Sequence, residues 1–191
     1  MARPKSEEKR SRLLSVATAV FSRNGLSAST ASITNAAGMA EGTLFVYFKG
    51  KDDLINALYA DIKQDLGEAM LSRYPRQGSL RSRLKHIWNC YIEWGMKHPD
   101  KLAALHKIKV WEGLRPDVHD EMMDRFAEVH ALYDAGMKEG TFLKVPHEFL
   151  MAMLSAQAET TMQFMKQDPK AAGLYKDKGF EMFWNGVTRK K

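Results

Sequence analysis

Apolar residues along this 191-residue chain recur at three- and four-residue spacing, the period of an amphipathic helix. Leu13, Ala17, Val20 and Phe21 form one such stripe, and the helix it predicts stops at Asn24-Gly25. A short second helix is expected over residues 30–37, with Thr30 as N-cap and Gly38 as the left-handed residue that ends it. A third short helix covers residues 40–48. Gly50 opens a fourth, with Asp52 and Asp53 in its first turn, where the positive end of the helix dipole favours carboxylates. The stripe Leu54, Leu58, Tyr59, Ile62 and Leu66 carries this helix to about Ser72, and Pro75 and Gly78 break it.

Further helices are predicted over residues 79–98, stopped by Pro99, and over residues 100–112. A seventh begins after Gly113-Leu114-Arg115-Pro116 and ends near Gly140. The eighth follows Pro146 and ends before Asp168-Pro169, and the ninth spans residues 170–188. No segment alternates apolar and polar residues between turn signals as a half-buried strand does. The expected fold is all-α, with about nine helices.

Composition narrows this picture. At 45% hydrophobic residues the chain can bury a sizeable core. No apolar run approaches the roughly 20 residues of a membrane span. The charged start, from Met1 to Arg10, lacks the apolar stretch of a secretory signal. The one cysteine, Cys90, excludes an internal disulfide framework and suits a reducing cytosol, so a cytoplasmic protein is expected.

Charge changes the picture more. Residues 1–51 hold eight Lys/Arg against three Glu, a net of +5 out of the +6 of the whole chain. Such an excess at one end points to a polyanion-binding module joined to a nearly neutral one. The expected division falls between residues 1–51 and residues 52–191, with the fourth helix shared between them.

Residues 30–53 are two short helices around a glycine turn in the most basic part of the chain, the arrangement that presents side chains to the major groove. Gly42 lets the backbone approach the duplex closely. Thr43 can offer its hydroxyl to a phosphate or a base edge, and Tyr47 its phenol to a phosphate. Lys51 adds a cation where helix-terminal N–H groups favour anions. Val46 points outward and can touch a thymine methyl. Leu44 and Phe48 read as core. Glu41 cannot donate to phosphate, and Ala40 leaves the third helix without a hydroxyl cap. The arm Arg3-Pro4-Lys5 reads either as a solvated tail or as a minor-groove contact.

Over residues 8–60 the pattern resembles the DNA-binding domain of the TetR family of bacterial transcriptional regulators. The resemblance rests on Leu13-Leu14, Ala17, Phe21 and Gly25, then Thr30, Ile33 and Ala36-Ala37-Gly38. The run Glu41-Gly-Thr-Leu-Phe-Val-Tyr-Phe48 followed by Lys51-Asp52 and Leu54 completes it. Ile55-Asn56, Leu58-Tyr59, Ile87-Trp-Asn89, Trp94-Gly95 and Ala158-Glu-Thr-Thr-Met162 extend it towards the RamR-like multidrug-efflux repressors of that family. The resemblance implies phosphate contacts from Thr30 and Ser32, although Thr30 also reads as a plain N-cap. It implies a homodimer through the last two helices and a palindromic operator. It also implies a small apolar or amphipathic effector bound near Tyr59, Leu84, Trp88, Met151 and Leu154. An aromatic stripe at helical spacing equally fits a plain core.

Enzyme chemistry has little support. No glutamate has a histidine three residues later, as di-metal bundles require, and no glycine-rich phosphate loop occurs. Neither cofactor nor metal is expected. The alternative reading, a helical small-molecule carrier, leaves the basic N-terminal module unexplained.

Overall fold

The computed structural model describes the backbone of residues 3–189 and the side chains of residues 6–189. The arm side chains Arg3, Pro4 and Lys5 lie outside the described residues. Ten α-helices follow one another: α1 (Arg3–Asn24), α2 (Thr30–Ala36), α3 (Gly42–Tyr47), α4 (Lys51–Leu71) and α5 (Leu80–Lys97). Then come α6 (Pro99–Lys109), α7 (Pro116–Asp124), α8 (Ala127–Lys138), α9 (His147–Gln167) and α10 (Ala172–Val187). Among the described residues the β content is a single bridge between Phe142 and Thr188.

The chain divides into two compact units. One holds residues up to Asp65 together with His98–Asp124, the other Leu66–Lys97 together with residues from Arg125 onward. Helix α4 runs through both.

In the first unit, Leu13, Leu14, Ala17 and Phe21 of α1 are buried with Ile33 and Ala37, Leu44 and Phe48, and Leu54 and Leu58. α1 also packs on α6. There Lys107 Nζ donates to the carbonyls of Phe21 (3.1 Å) and Ser22 (2.6 Å). Both carbonyls lie in the last turn of α1, at the negative end of its dipole, so a cation there is stabilising; Phe21 O also accepts from Gly25 N at 3.1 Å. Asn56, buried on α4, donates from Nδ2 to Asp52 O (2.8 Å) and Gly113 O (3.1 Å) and accepts from Arg115 N (2.9 Å). One amide thereby fixes the α6–α7 loop to α4.

In the second unit α9 and α10 pack along each other and on α5. Leu150, Leu154, Ala158 and Met162 of α9 are buried, as are Phe180 and Phe183 of α10.

Two elements differ from the sequence reading. The long seventh helix is two helices, α7 and α8, interrupted at Arg125-Phe126 with neither Gly nor Pro at the break. Phe126 is buried against Gly67, where a Cβ would lie 3.5 Å from its ring. Tertiary packing sets this break, so local sequence does not announce it. The last helix begins with a 3-10 turn at Pro169–Ala171, capped by the Asp168 carboxylate.

Candidate nucleic-acid interface

α2 is capped by Ser29, not by Thr30. Ser29 sits in extended backbone and its Oγ accepts from Ser32 N at 3.1 Å. Thr30 is already the first helical residue, and its carbonyl accepts from the buried Thr34 hydroxyl (3.2 Å). Serine and threonine both cap well, and the preceding residue holds the φ/ψ that the cap requires. Ser32 donates its hydroxyl proton to Ser29 O at 2.7 Å, so a phosphate contact from Ser32 requires that proton to be redirected.

Gly38 ends the turn after α2 at φ +64°, as expected, and Met39 N closes on Thr34 O at 2.9 Å. A Cβ at Gly38 would meet Arg12 Nη2 at 3.7 Å, which places the Arg12 guanidinium beside the α2–α3 turn. Arg10 lies over the Phe48 ring, 5.5 Å from its centroid. Two cations of α1 therefore border the helix-turn-helix.

α3 spans only Gly42–Tyr47. Glu41 precedes it without a side-chain cap, and Phe48 turns extended. Its opening bonds, Thr43 N to Ala40 O (2.9 Å) and Leu44 N to Glu41 O (3.3 Å), are the tighter i→i+3 type. Ala40 supplies no oxygen to satisfy the first turn, which shortens the helix relative to the expected 40–48. Leu44 and Phe48 are buried, as their spacing predicts. Gly42 is exposed, and a Cβ there would meet nothing within 4 Å. Thr43 and Tyr47 are half-buried, and Val46 is 76% exposed. Phe45, which the sequence reading passed over, is 53% exposed beside Val46. The signal was available: residues between two buried positions four apart face outward on a helix.

Lys51 opens α4 and is half-buried. The anion site expected there is partly taken, since the Asp53 carboxylate accepts from Lys49 N at 3.1 Å and lies 3.4 Å from Arg115 Nη1. The Asp53 carboxylate thus occupies the Lys49 N–H beside Lys51.

The expected effector residues fall in both units. Tyr59, in the first, is buried and stacked on His119 with centroids 6.4 Å apart, and burial raises its phenol pKa. In the second, Leu84 and Leu154 are buried and Met151 is half-buried. Trp88 is 0% exposed, with its Nε1 donating to Lys176 O at 3.0 Å. Tyr91 donates its hydroxyl to Glu159 Oε1 at 3.0 Å, and burial and then Glu159 push its pKa upward.

Residues 13–58 match the family model of the bacterial regulatory proteins of the tetR family. The match runs from the middle of α1 through the helix-turn-helix into α4. A candidate TetR-family regulator of Shewanella sp. PV-4 matches at 24% identity and TM-score 0.83, covering 95% of this chain and 99% of its own. A TetR-family regulator of Marinobacter aquaeolei VT8 matches at 21% and 0.88, over 98% and 100%. A TetR-family regulator of Haemophilus influenzae matches at 16% and 0.79, again over 98% and 100%. At these identities the likeness is one of fold, and the fold is TetR-like. Members of this family are DNA-binding regulators, not enzymes. No described helix is long and apolar enough to cross a membrane.

Proposed function

We propose that the protein is a cytoplasmic, RamR-like repressor that holds a palindromic operator as a homodimer and leaves it when a small apolar or amphipathic effector binds. The observation that carries the DNA half is the exposed face of α3, which lies within residues 1–51 and their net +5 of the chain's +6. Thr30, Ser32, Gly42, Thr43, Val46, Tyr47 and Lys51 make the contacts. The hydroxyls, the phenol and the ammonium go to phosphates and fix register, while the exposed α3 residues meet bases. Functionally the chain divides into residues 1–51 for DNA and 52–191 for effector and dimer.

Binding is tested by titrating a duplex enriched from a random pool at several salt concentrations. Lys51→Ala should weaken binding to specific and unrelated duplexes alike and lower the slope of log K against log salt by about 1. Tyr47→Phe should weaken both without that slope change. If neither variant alters binding, the contact assignment is wrong.

The dimer reading rests on apolar side chains that α9 and α10 leave exposed. Phe149, Met153 and Phe164 lie on α9, and Leu174 and Met182 on α10. Leu150, Leu154, Ala158, Met162, Phe180 and Phe183 of the same two helices are buried in the core. A self-complementary pairing of the exposed set is an isologous interface. Sedimentation should give about twice the 21.7 kDa chain mass, and a monomer at micromolar concentration rejects that interface.

The effector reading keeps Leu84, Trp88, Met151 and Leu154 of the second unit as candidate ligand contacts and Tyr59 of the first as a separate candidate, and the ligand must prefer the state that cannot hold DNA. An amphipathic aromatic compound that binds the chain yet leaves operator affinity unchanged at saturation argues against it.

A further inference from the structure

Gly42 and Val46 stand four positions apart, so they share the outermost line of α3, opposite the buried Leu44. Phe45 flanks that line on one side and Thr43 on the other. Of these four, the two most protruding side chains are Phe45 and Val46, and neither carries a hydrogen-bonding atom. Large apolar side chains are not left in water on a short, weakly capped helix without cost to solubility. In a groove-reading helix they have one complementary surface. Of the four base-pair orientations, only those with thymine place a methyl group in the major groove. Gly42 extends the argument, because nothing beyond its backbone holds the ridge away from the duplex.

We propose that α3 reads sequence chiefly through apolar contact of Phe45 and Val46 with thymine C5-methyl groups, and not through bidentate hydrogen bonds to base edges. This rests on the DNA-binding reading above and deepens it. The positions of each half-site beneath Phe45 and Val46 are A·T or T·A pairs, oriented so that the methyl meets the ridge. Arg10, Arg12 and Lys51 supply affinity that is indifferent to sequence, so discrimination at those positions stands on methyl burial alone. Burying one methyl carbon is worth about 0.8 kcal/mol, which is about fourfold in affinity at one contact. Each symmetric pair of half-sites squares that factor.

The experiment uses the full chain and the duplex it enriches from a random pool. Thymines of each half-site are replaced one at a time by uracil, which deletes the C5 methyl and keeps every hydrogen-bonding group of the pair. Affinity should fall about fourfold at one or two positions per half-site and stay level elsewhere. The double variant Phe45→Ala, Val46→Ala should bind the thymine duplex more weakly and lose the thymine–uracil discrimination. Both positions are exposed, and unchanged helicity confirms that the variant is folded. Val46→Thr, which keeps the shape but exchanges a methyl for a hydroxyl, should lose part of the discrimination. Equal affinity for uracil and thymine at every position overturns the proposal, as does discrimination that survives in the double variant. A pool that yields no enriched duplex overturns the DNA-binding reading itself and this proposal with it, so the two failures are distinguishable.

Discussion

Trp88→Ala should cost about 3–5 kcal/mol of stability, as complete truncation of a buried tryptophan does. The indole is 0% exposed and its faces meet the second unit's own aromatics. Its plane lies 17° from that of Phe183, with centroids 6.0 Å apart, and Phe180 is tilted against it at 6.2 Å. Its N–H is satisfied by Lys176 O at 3.0 Å. Truncation removes the ring burial, leaves a cavity between α5 and α10, and removes the indole's hydrogen bond to a carbonyl of α10. A domain's whole stability is about 5–15 kcal/mol, so this single change takes a large share. Guanidinium titrations at one fixed protomer concentration should show a lower midpoint, the concentration being held because association also stabilises. Trp88→Phe, which keeps a ring but not the donor, should fall between. A loss below about 1 kcal/mol for the alanine variant would mean that the ring borders a space other groups can fill, as a residue facing a ligand cavity does.

That outcome bears on how much of the molecule was legible in its sequence. Helix existence was legible where a stripe and a stop signal coincide, as with Leu13, Ala17 and Phe21 before Asn24, or in the helix between Pro146 and Asp168. The Arg125-Phe126 break was not, because neither Gly nor Pro marks it and the buried Phe126 packs beside Gly67 of another helix. The α2 cap was missed by one residue for a similar reason: Ser29 and Thr30 are chemically equivalent caps, and only backbone conformation chooses between them. In the nucleic-acid interface, spacing alone separates buried Leu44 and Phe48 from exposed Val46, and the same spacing predicts exposed Phe45. The effector residues are the opposite case. A Tyr, a Trp, two Leu and a Met at helical spacing make the same pattern whether they line a ligand or one another, and only packing distinguishes the two. For Trp88, packing supplies partners for both ring and N–H from the chain itself.

Stability should rise with pH between about 8 and 10.5 through Lys63. This α4 side chain is 9% exposed, and its pKa is pushed down to about 8, first by burial and second by repulsion from Lys109. In the unfolded chain the ammonium returns to its ordinary value near 10.5, so between these two values the unfolded state binds the extra proton. Below pH 8 both states are charged and the full cost of holding that ammonium in the fold is present. As pH climbs through the window, the folded state has already released its proton and the cost disappears. The difference between the two values corresponds to about 3 kcal/mol. Other groups titrate in this range, so the informative quantity is a difference between proteins. The stability of Lys63→Met minus that of the wild type, from denaturant titrations at each pH, should be largest at pH 7 and shrink by about 3 kcal/mol by pH 10.5. Lys109→Met removes the smaller cause only, so it should shift the onset of the wild-type rise to higher pH while leaving most of its height. A Lys63→Met difference that stays constant from pH 7 to 10.5 would show that the ammonium is equally at ease in both states, and that α4 carries no such cost.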